Sequence, residues 1–448
     1  YQNTAFVIGN GGYDSNGSYD GHRSNAFEVL FDGTTTIAGN VTAPAFIGDG
    51  SQLTNLSFSN LNNTPLIFGT SPSFLGVESA TNEASGPRSF SVGHVNTSSG
   101  DYSTTFGGGN SATSGYSLAA GQLSNATGTL STAIGSQVLA SGYTSLALGA
   151  FNEASGDYST AMGNGTTASG TNSTAMGAET IASGTYSTAM GYFTTASGDF
   201  STAMGNGATA SSNYSTAMGN GTTASGGAST AMGYGTTASG DASTAMGDYT
   251  TASGYASTAS GQGTTASGNY STALGINTTA TKQGSFAVGA DTVADGLESS
   301  ALGRGSIASG DYSTAMGLST TASGNNSTAM GYLTQASGDI STAMGLQTTA
   351  SGTASNAMGY VTTASGDIST AMGFRTTASG SQSTAMGNDT YASGDISTAM
   401  GAATTAEDYG TTAIGLFNKT KETPNPDIFS YQNTAFVIGN GVSDNRSN

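Results

Sequence analysis

Cysteine and tryptophan are absent from the chain, and histidine occurs only at His22 and His94. Without thiols there is neither a disulfide framework nor a thiolate metal site. General acid–base chemistry has almost nothing to draw on. Positive charge is nearly as scarce, with eight Lys+Arg against 27 Asp+Glu and a net charge of −19. Binding to nucleic acid needs clustered cations that release counterions, and no such cluster exists, so nucleic acid is excluded as a partner. No apolar run approaches the roughly 18 residues of a membrane span, and no insertion into a membrane is expected of this segment.

What the chain has in abundance is glycine, 69 of 448 residues, and it is spaced rather than scattered. A glycine falls at every fourteenth position from Gly93 to Gly415, 24 in all. A typical stretch reads Ser159-Thr160-Ala161-Met162-Gly163-Asn164-Gly165-Thr166-Thr167-Ala168-Ser169-Gly170. A strict short period argues against the disorder that a Gly/Ser/Thr-rich composition otherwise suggests. It indicates a solenoid in which each repeat is one coil stacked on near-copies of itself. Helix is excluded, because glycine every seven residues would cost about 1 kcal/mol each time. Short runs of Thr, Ser, Ala and Met with period-two alternation suit strands, with Gly163 and Gly170 supplying the turn dihedrals. The expected fold is therefore all-β: a parallel β-roll solenoid of about 24 coils, stacked about 4.8 Å apart into a rod on the order of 110 Å long.

Four regions follow. Residues 1–85 form a non-repeating N-terminal connector module containing Pro44, Pro65 and Pro72; residues 86–416 are the array; residues 417–430, with Pro424 and Pro426, are a linker. Residues 431–448 begin a second copy of the N-terminal module, since Tyr431–Gly441 repeats Tyr1–Gly11 residue for residue. A longer polypeptide of tandem modules is expected, and the absence of a starting Met agrees with it.

Two columns of the repeat are almost entirely alanine. They include Ala161 and Ala175 two residues before the periodic glycine, and Ala168 and Ala182 five residues after it. Two facing alanine columns make a thin roll interior that admits nothing larger. Alternation sends the residue beside Ala161 to the opposite face. That column holds Ile134, Leu148, Met162, Met176, Met190, Met204, Met218, Met232, Met246, Leu274, Val288, Leu302, Met316, Met330, Met344, Met358, Met372, Met386, Met400 and Ile414. All 14 methionines of the chain lie in it. A stripe of that length would expose several hundred Å² of apolar surface, on the order of what monomers avoid. The simplest partner is the same stripe on identical chains, a homotrimer around a shared axis. The alternative places methionine inside the roll and alanine outside, giving a monomeric solenoid.

The stretch Ala168-Ser169-Gly170-Thr171-Asn172-Ser173-Thr174-Ala175-Met176-Gly177 resembles the head repeat of trimeric autotransporter adhesins, the YadA-like head, over residues 86–416. The resemblance implies a left-handed parallel β-roll, three chains side by side, on a bacterial surface and binding host matrix or other cells. The flanks, Ser24 to Gly33 and Ala45 to Leu56, resemble instead segments of phage-type tail fibres and bacterial surface fibres. No coiled-coil heptads and no membrane-anchoring strands occur in this chain.

Candidate sites are few. His94 follows the first array glycine and reads as a solvated turn residue, and serine is a repeat position with no base beside it, so no catalytic residue and no cofactor are expected. Asp14-Ser15-Asn16-Gly17-Ser18-Tyr19-Asp20 carries oxygen ligands at alternate positions but places glycine fourth rather than sixth, so it reads as a solvated loop rather than a calcium site. The turn aspartates Asp157, Asp199, Asp241, Asp311, Asp339, Asp367 and Asp395 lack calcium-roll spacing and are assigned to solubility. Beside them the turn tips vary: Tyr158, Tyr186, Phe200, Tyr214, Ile340, Ile368 and Ile396. These form either a ridge of multivalent surface contacts or a lateral packing surface between chains. The function expected is a non-catalytic extracellular or cell-surface adhesive fibre whose ligand is not identified by the residues. The alternatives are a tail or receptor-binding fibre of a phage or injection particle, and an ice-binding solenoid. The last fits poorly, because Thr166 and Thr167 alternate faces.

Overall fold

The computed structural model describes residues 82–418, residues 424, 426 and 427, and residues 434–440. It also describes the backbone of five N-terminal strands: Thr4–Tyr13, Tyr19–Leu30, Thr35–Ile37, Leu66–Phe68 and Phe74–Gly76. The chain divides into two units, Tyr1–Asn62 and Asn63–Asn448. The first contains a three-stranded antiparallel sheet with Tyr19–Leu30 in the middle.

The second unit is a parallel β-solenoid of 24 coils, with no helix among the described residues. Each coil supplies one strand of five residues and one of two. In the coil Ser159–Asn172 these are Thr160–Asn164 and Thr167–Ala168. Long strands stack on long strands and short on short, always one repeat apart: Ala161 opposite Ala175, Met162 opposite Met176, Ala168 opposite Ala182. The short ladder starts at Glu83–Ala84, three residues ahead of the boundary expected from the repeat, and ends at Thr405–Ala406. Both ends of the long ladder are covered. Leu66–Phe68 and Phe74–Gly76 form a hairpin that pairs in parallel onto Phe90–His94. Phe436–Asn440 pairs in parallel onto Thr412–Leu416.

Inside the roll, both alanine columns are sealed from solvent, at 0% exposure from Ala112 to Ala413. They are not alone. Ser159 and Thr166, with their equivalents in nearly every coil, are also fully buried. The interior therefore carries two hydroxyl columns beside two methyl columns, and the largest fully buried side chain is Val138. Buried hydroxyls are tolerable only with partners within reach. Ser131 Oγ donates to the Gly128 carbonyl at 2.6 Å, and Ser306 Oγ to the Gly317 carbonyl at 3.0 Å. In most other coils, as at Ser159, Ser173, Thr180 and Thr194, the buried hydroxyl makes no hydrogen bond.

In the first coils asparagine takes the place of Thr166. Asn96 and Asn110 each donate twice, to the carbonyl four residues back and to the periodic glycine of the next coil. Their Oδ1 atoms accept the N–H of the equivalent residue one coil on. Asn152 repeats the arrangement, bonding Thr166 through both N–H and Oγ1.

The two periodic glycines differ in purpose. Gly163 has φ of 132°, and a Cβ on it would lie 1.8 Å from the Gly177 carbonyl oxygen. Gly170 needs no special dihedral; its Cβ would simply meet the Gly184 oxygen at 2.0 Å. So the second glycine serves close stacking of coils, not turn geometry as its spacing suggested. The left-handed residue of that turn is Asn172, at φ 56°.

Candidate functional site

The long strand shows Thr160 and Met162 to the outside, and the methionine column runs along this outer face half-buried. Met316 and Met372 are the most open methionines, at 39% and 37% exposure. Methionine inside and alanine outside is therefore ruled out: alanine is interior because only a methyl group fits between the two walls of the roll. The column is longer than the methionine pattern suggested. Val92 and Phe106 stand in register ahead of Ala120 and Ile134, while Ser260 interrupts it between Met246 and Leu274. Val92 and Phe106 fall at the same 14-residue spacing as Ile134 and so extend the column toward the N-terminus.

At the turn edge, Tyr158, Tyr186, Phe200, Tyr214, Ile340, Ile368 and Ile396 are all exposed, Tyr214 at 63% and Ile340 at 62%. All seven sit at positive φ, between 57° and 60°. That region is unfavourable for any residue with a Cβ and worst for a β-branched one. The stack holds them there. Tyr158 N–H donates to the Tyr143 carbonyl of the preceding coil at 2.7 Å, and Ile340 N–H to that of Asn325 at 2.8 Å. Where aromatics fall in successive coils their rings stack: Tyr186, Phe200 and Tyr214 form a three-ring pile with centroids 5.0 and 5.1 Å apart. Tyr102 and Tyr116 stack at 4.8 Å.

The turn aspartates do more than confer solubility. Asp157 Oδ1 accepts the Tyr143 N–H at 2.9 Å, and Asp241 that of Gly227 at 2.7 Å. Asp199, Asp311, Asp339, Asp367 and Asp395 each bond the N–H one coil earlier in the same way. Asn213, Asn269 and Asn325 substitute for them elsewhere. Each side chain clamps two neighbouring turns, so the assignment to solubility is replaced by one to coil stacking. A single coil gives no hint of this, because the donor lies 14 residues away.

His94 closes the first long strand and is exposed. The calcium-like loop at residues 14–18 and the flank Ala45 to Leu56 lie outside the described residues. Thr166 is buried while Thr167 faces outward, so the Thr pair presents no double rank on one face. Among the described residues one titratable group departs from its ordinary range: the Tyr249 phenol is pushed up by its hydrogen bond with Tyr234, then by the charges of Tyr234 and Asp248. The two rings meet edge to face at 5.1 Å. An exposed ion pair, Arg375 with Asp389 at 3.0 Å, links two left-handed turn positions one coil apart.

The surface thus carries an apolar stripe on the long-strand face and a ridge of exposed tips, some stacked on the next, along one edge. The family model described as the YadA head domain repeat matches in successive segments from residue 112 to residue 418. No curated protein matches the chain.

Proposed function

Because this chain belongs to the family of YadA head-domain repeats, we propose that its array is the shaft or head of a trimeric, non-catalytic fibre at a cell surface. In this reading the fibre attaches through many weak contacts. The observation that carries it is the half-exposed Met162 column on the outside of a roll whose interior is already full. Fully burying an exposed side chain of this kind is worth about 1.5–3 kcal/mol, and covering the part of each that is still open gains a fraction of that at coil after coil. Identical chains supply a matching stripe in matching register. The tip ridge then supplies the attaching groups, spaced one coil apart, where avidity outweighs any single contact.

Solution mass tests the assembly. The 43.8 kDa chain should sediment as three chains, and a lone chain at micromolar concentration removes the reading. Replacing Met204, Met218 and Met232 together with Asp should separate the chains while each roll keeps its β signal, since charge would be buried only at the interface. Attachment is tested with beads coated by the protein on cell- or matrix-covered surfaces. Replacing Tyr186, Phe200 and Tyr214 with Ser should lower bead capture without changing mass. A fall in mass instead would reassign the ridge to chain–chain packing.

A further inference from the structure

Residues Tyr1–Gly11 and Tyr431–Gly441 are identical, yet the two copies pair differently. In the first, Thr4–Tyr13 runs antiparallel to Tyr19–Leu30, with Phe6 opposite Val29 and Asn10 opposite Ser24, and stands at the edge of its sheet. In the second, Phe436–Asn440 runs parallel to the last long strand, with Thr412 opposite Phe436 and Leu416 opposite Asn440.

The second arrangement obeys the rules of the coil. Val437 takes a place in the alanine column and packs against the buried alanines. Ile438 continues the methionine column and is exposed. Gly439 continues the periodic glycine, so close that a Cβ on Gly415 would lie 2.2 Å from its oxygen. The Ala435 carbonyl accepts the Thr412 N–H at 3.1 Å, and the Asp408 carboxylate accepts the Thr434 N–H at 3.0 Å. Valine is accepted where every array coil from Ala119 onward has alanine because no described coil closes over it.

We propose that this repeated segment, through the strand Phe436–Asn440, is a seal for the open end of a β-roll. Its copy at residues 1–11 is accordingly built to seat on the terminal coil of another array, supplied by a second copy of this chain. Any strand has two hydrogen-bonding edges. Tyr19–Leu30 takes one edge of Thr4–Tyr13, and no described residue pairs with the other. The segment can therefore hold its own hairpin on one side and the last coil of an array on the other, splicing two modules end to end. An unsealed ladder end would present unpaired N–H and C=O groups to any passing strand, and repeat arrays need caps for that reason. In this chain the seat at Thr412–Leu416 is filled by the linked copy, whose tether gives it the advantage over a free one.

The experiment uses the full chain carrying Val437→Asp, which puts a charge into the alanine column of the last strand and releases it. Electron microscopy reads particle length, which is independent of whether chains also associate side by side. The expected result is end-to-end particles of double and triple length, reverting to single length when Val7→Asp is added. A labelled peptide of sequence Tyr1–Gly11 should bind the Val437→Asp protein and not the unaltered one, and a peptide carrying Val7→Asp should bind neither. Single-length particles together with no peptide binding overturn the proposal. So does end-to-end growth that survives the Val7→Asp change.

Discussion

Each coil turns twice, and the two turns meet the same backbone demand with glycine to different extents. Both contain a left-handed position, and both donate its N–H to the coil before, as Gly165 does to Ala150 at 2.9 Å and Tyr158 to Tyr143 at 2.7 Å. In the turn after Gly163, glycine fills that position in seven of 24 coils, among them Gly165, Gly207, Gly221 and Gly235, and residues such as Phe151, Tyr249 and Val361 fill it in the rest. In the turn after Gly170 glycine is rarer, at Gly284 and Gly410, and tyrosine, phenylalanine, isoleucine, asparagine and alanine fill most of the other coils. A residue with a Cβ costs roughly 1–2 kcal/mol more than glycine there. Both turns accept that cost repeatedly, the second in 22 of 24 coils and the first in 17, which the backbone ladder permits but does not require. Side chains on both edges of the roll are therefore free to vary with what they meet outside it.

The largest expected effect lies in neither tip but in the periodic glycine of the long strand. Gly205→Val should lower stability by about 4 kcal/mol or more, because φ is 125° and the new Cβ would lie 2.1 Å from the Gly219 oxygen. Denaturant unfolding that left the midpoint unmoved would show the ladder to be far softer than its geometry. Next comes an exchange between the turns. Gly221→Ile, in open space at φ 62°, should cost about 1–2 kcal/mol, and Ile340→Gly should return about 1 kcal/mol. If Ile340→Gly destabilises instead, the tip is a folding element and the contrast between the turns disappears.

The clamp is a smaller matter. Asp339→Ala removes the acceptor of the Asn325 N–H and should cost about 1 kcal/mol, whereas Asp339→Asn should be close to neutral, as Asn213 and Asn269 do the same work. Equal losses for the two variants would point to charge rather than to the hydrogen bond. The smallest effect is on titration. Tyr249 should ionise above the ordinary tyrosine value of 10.0, and Tyr234→Phe should bring it back down. Because the folded phenol resists ionisation, its contribution is complete below the unfolded value and is lost as pH climbs through the raised folded one. A spectrophotometric titration in which the Phe variant leaves Tyr249 unmoved would remove the pairing as the cause.

Much of this architecture could be read from spacing alone. Gly163, Ala161 and Ala168 recur so strictly that the coil, its interior and its outward Met162 column follow from size and alternation. Other features depend on contacts one coil away and were hidden for that reason. Ser159 reads as a polar turn residue until its neighbours enclose it, and Asp157 reads as surface charge until the N–H of Tyr143 is placed beside it. Gly170 reads as a dihedral device, while its real constraint is the Gly184 carbonyl. Most concealed was the pairing of Phe436–Asn440, which reads as the opening of a new module and lies in parallel on the last long strand of the array.

The contact between successive glycines makes each coil answerable only to the one above and the one below. Adding or removing a whole number of 14-residue words therefore leaves every remaining neighbour unchanged. Unequal recombination within such a gene would act as a length adjustment, moving whatever the fibre carries by about 5 Å per word. Reach, for a molecule of this design, can change in one genetic step without a single new amino-acid substitution.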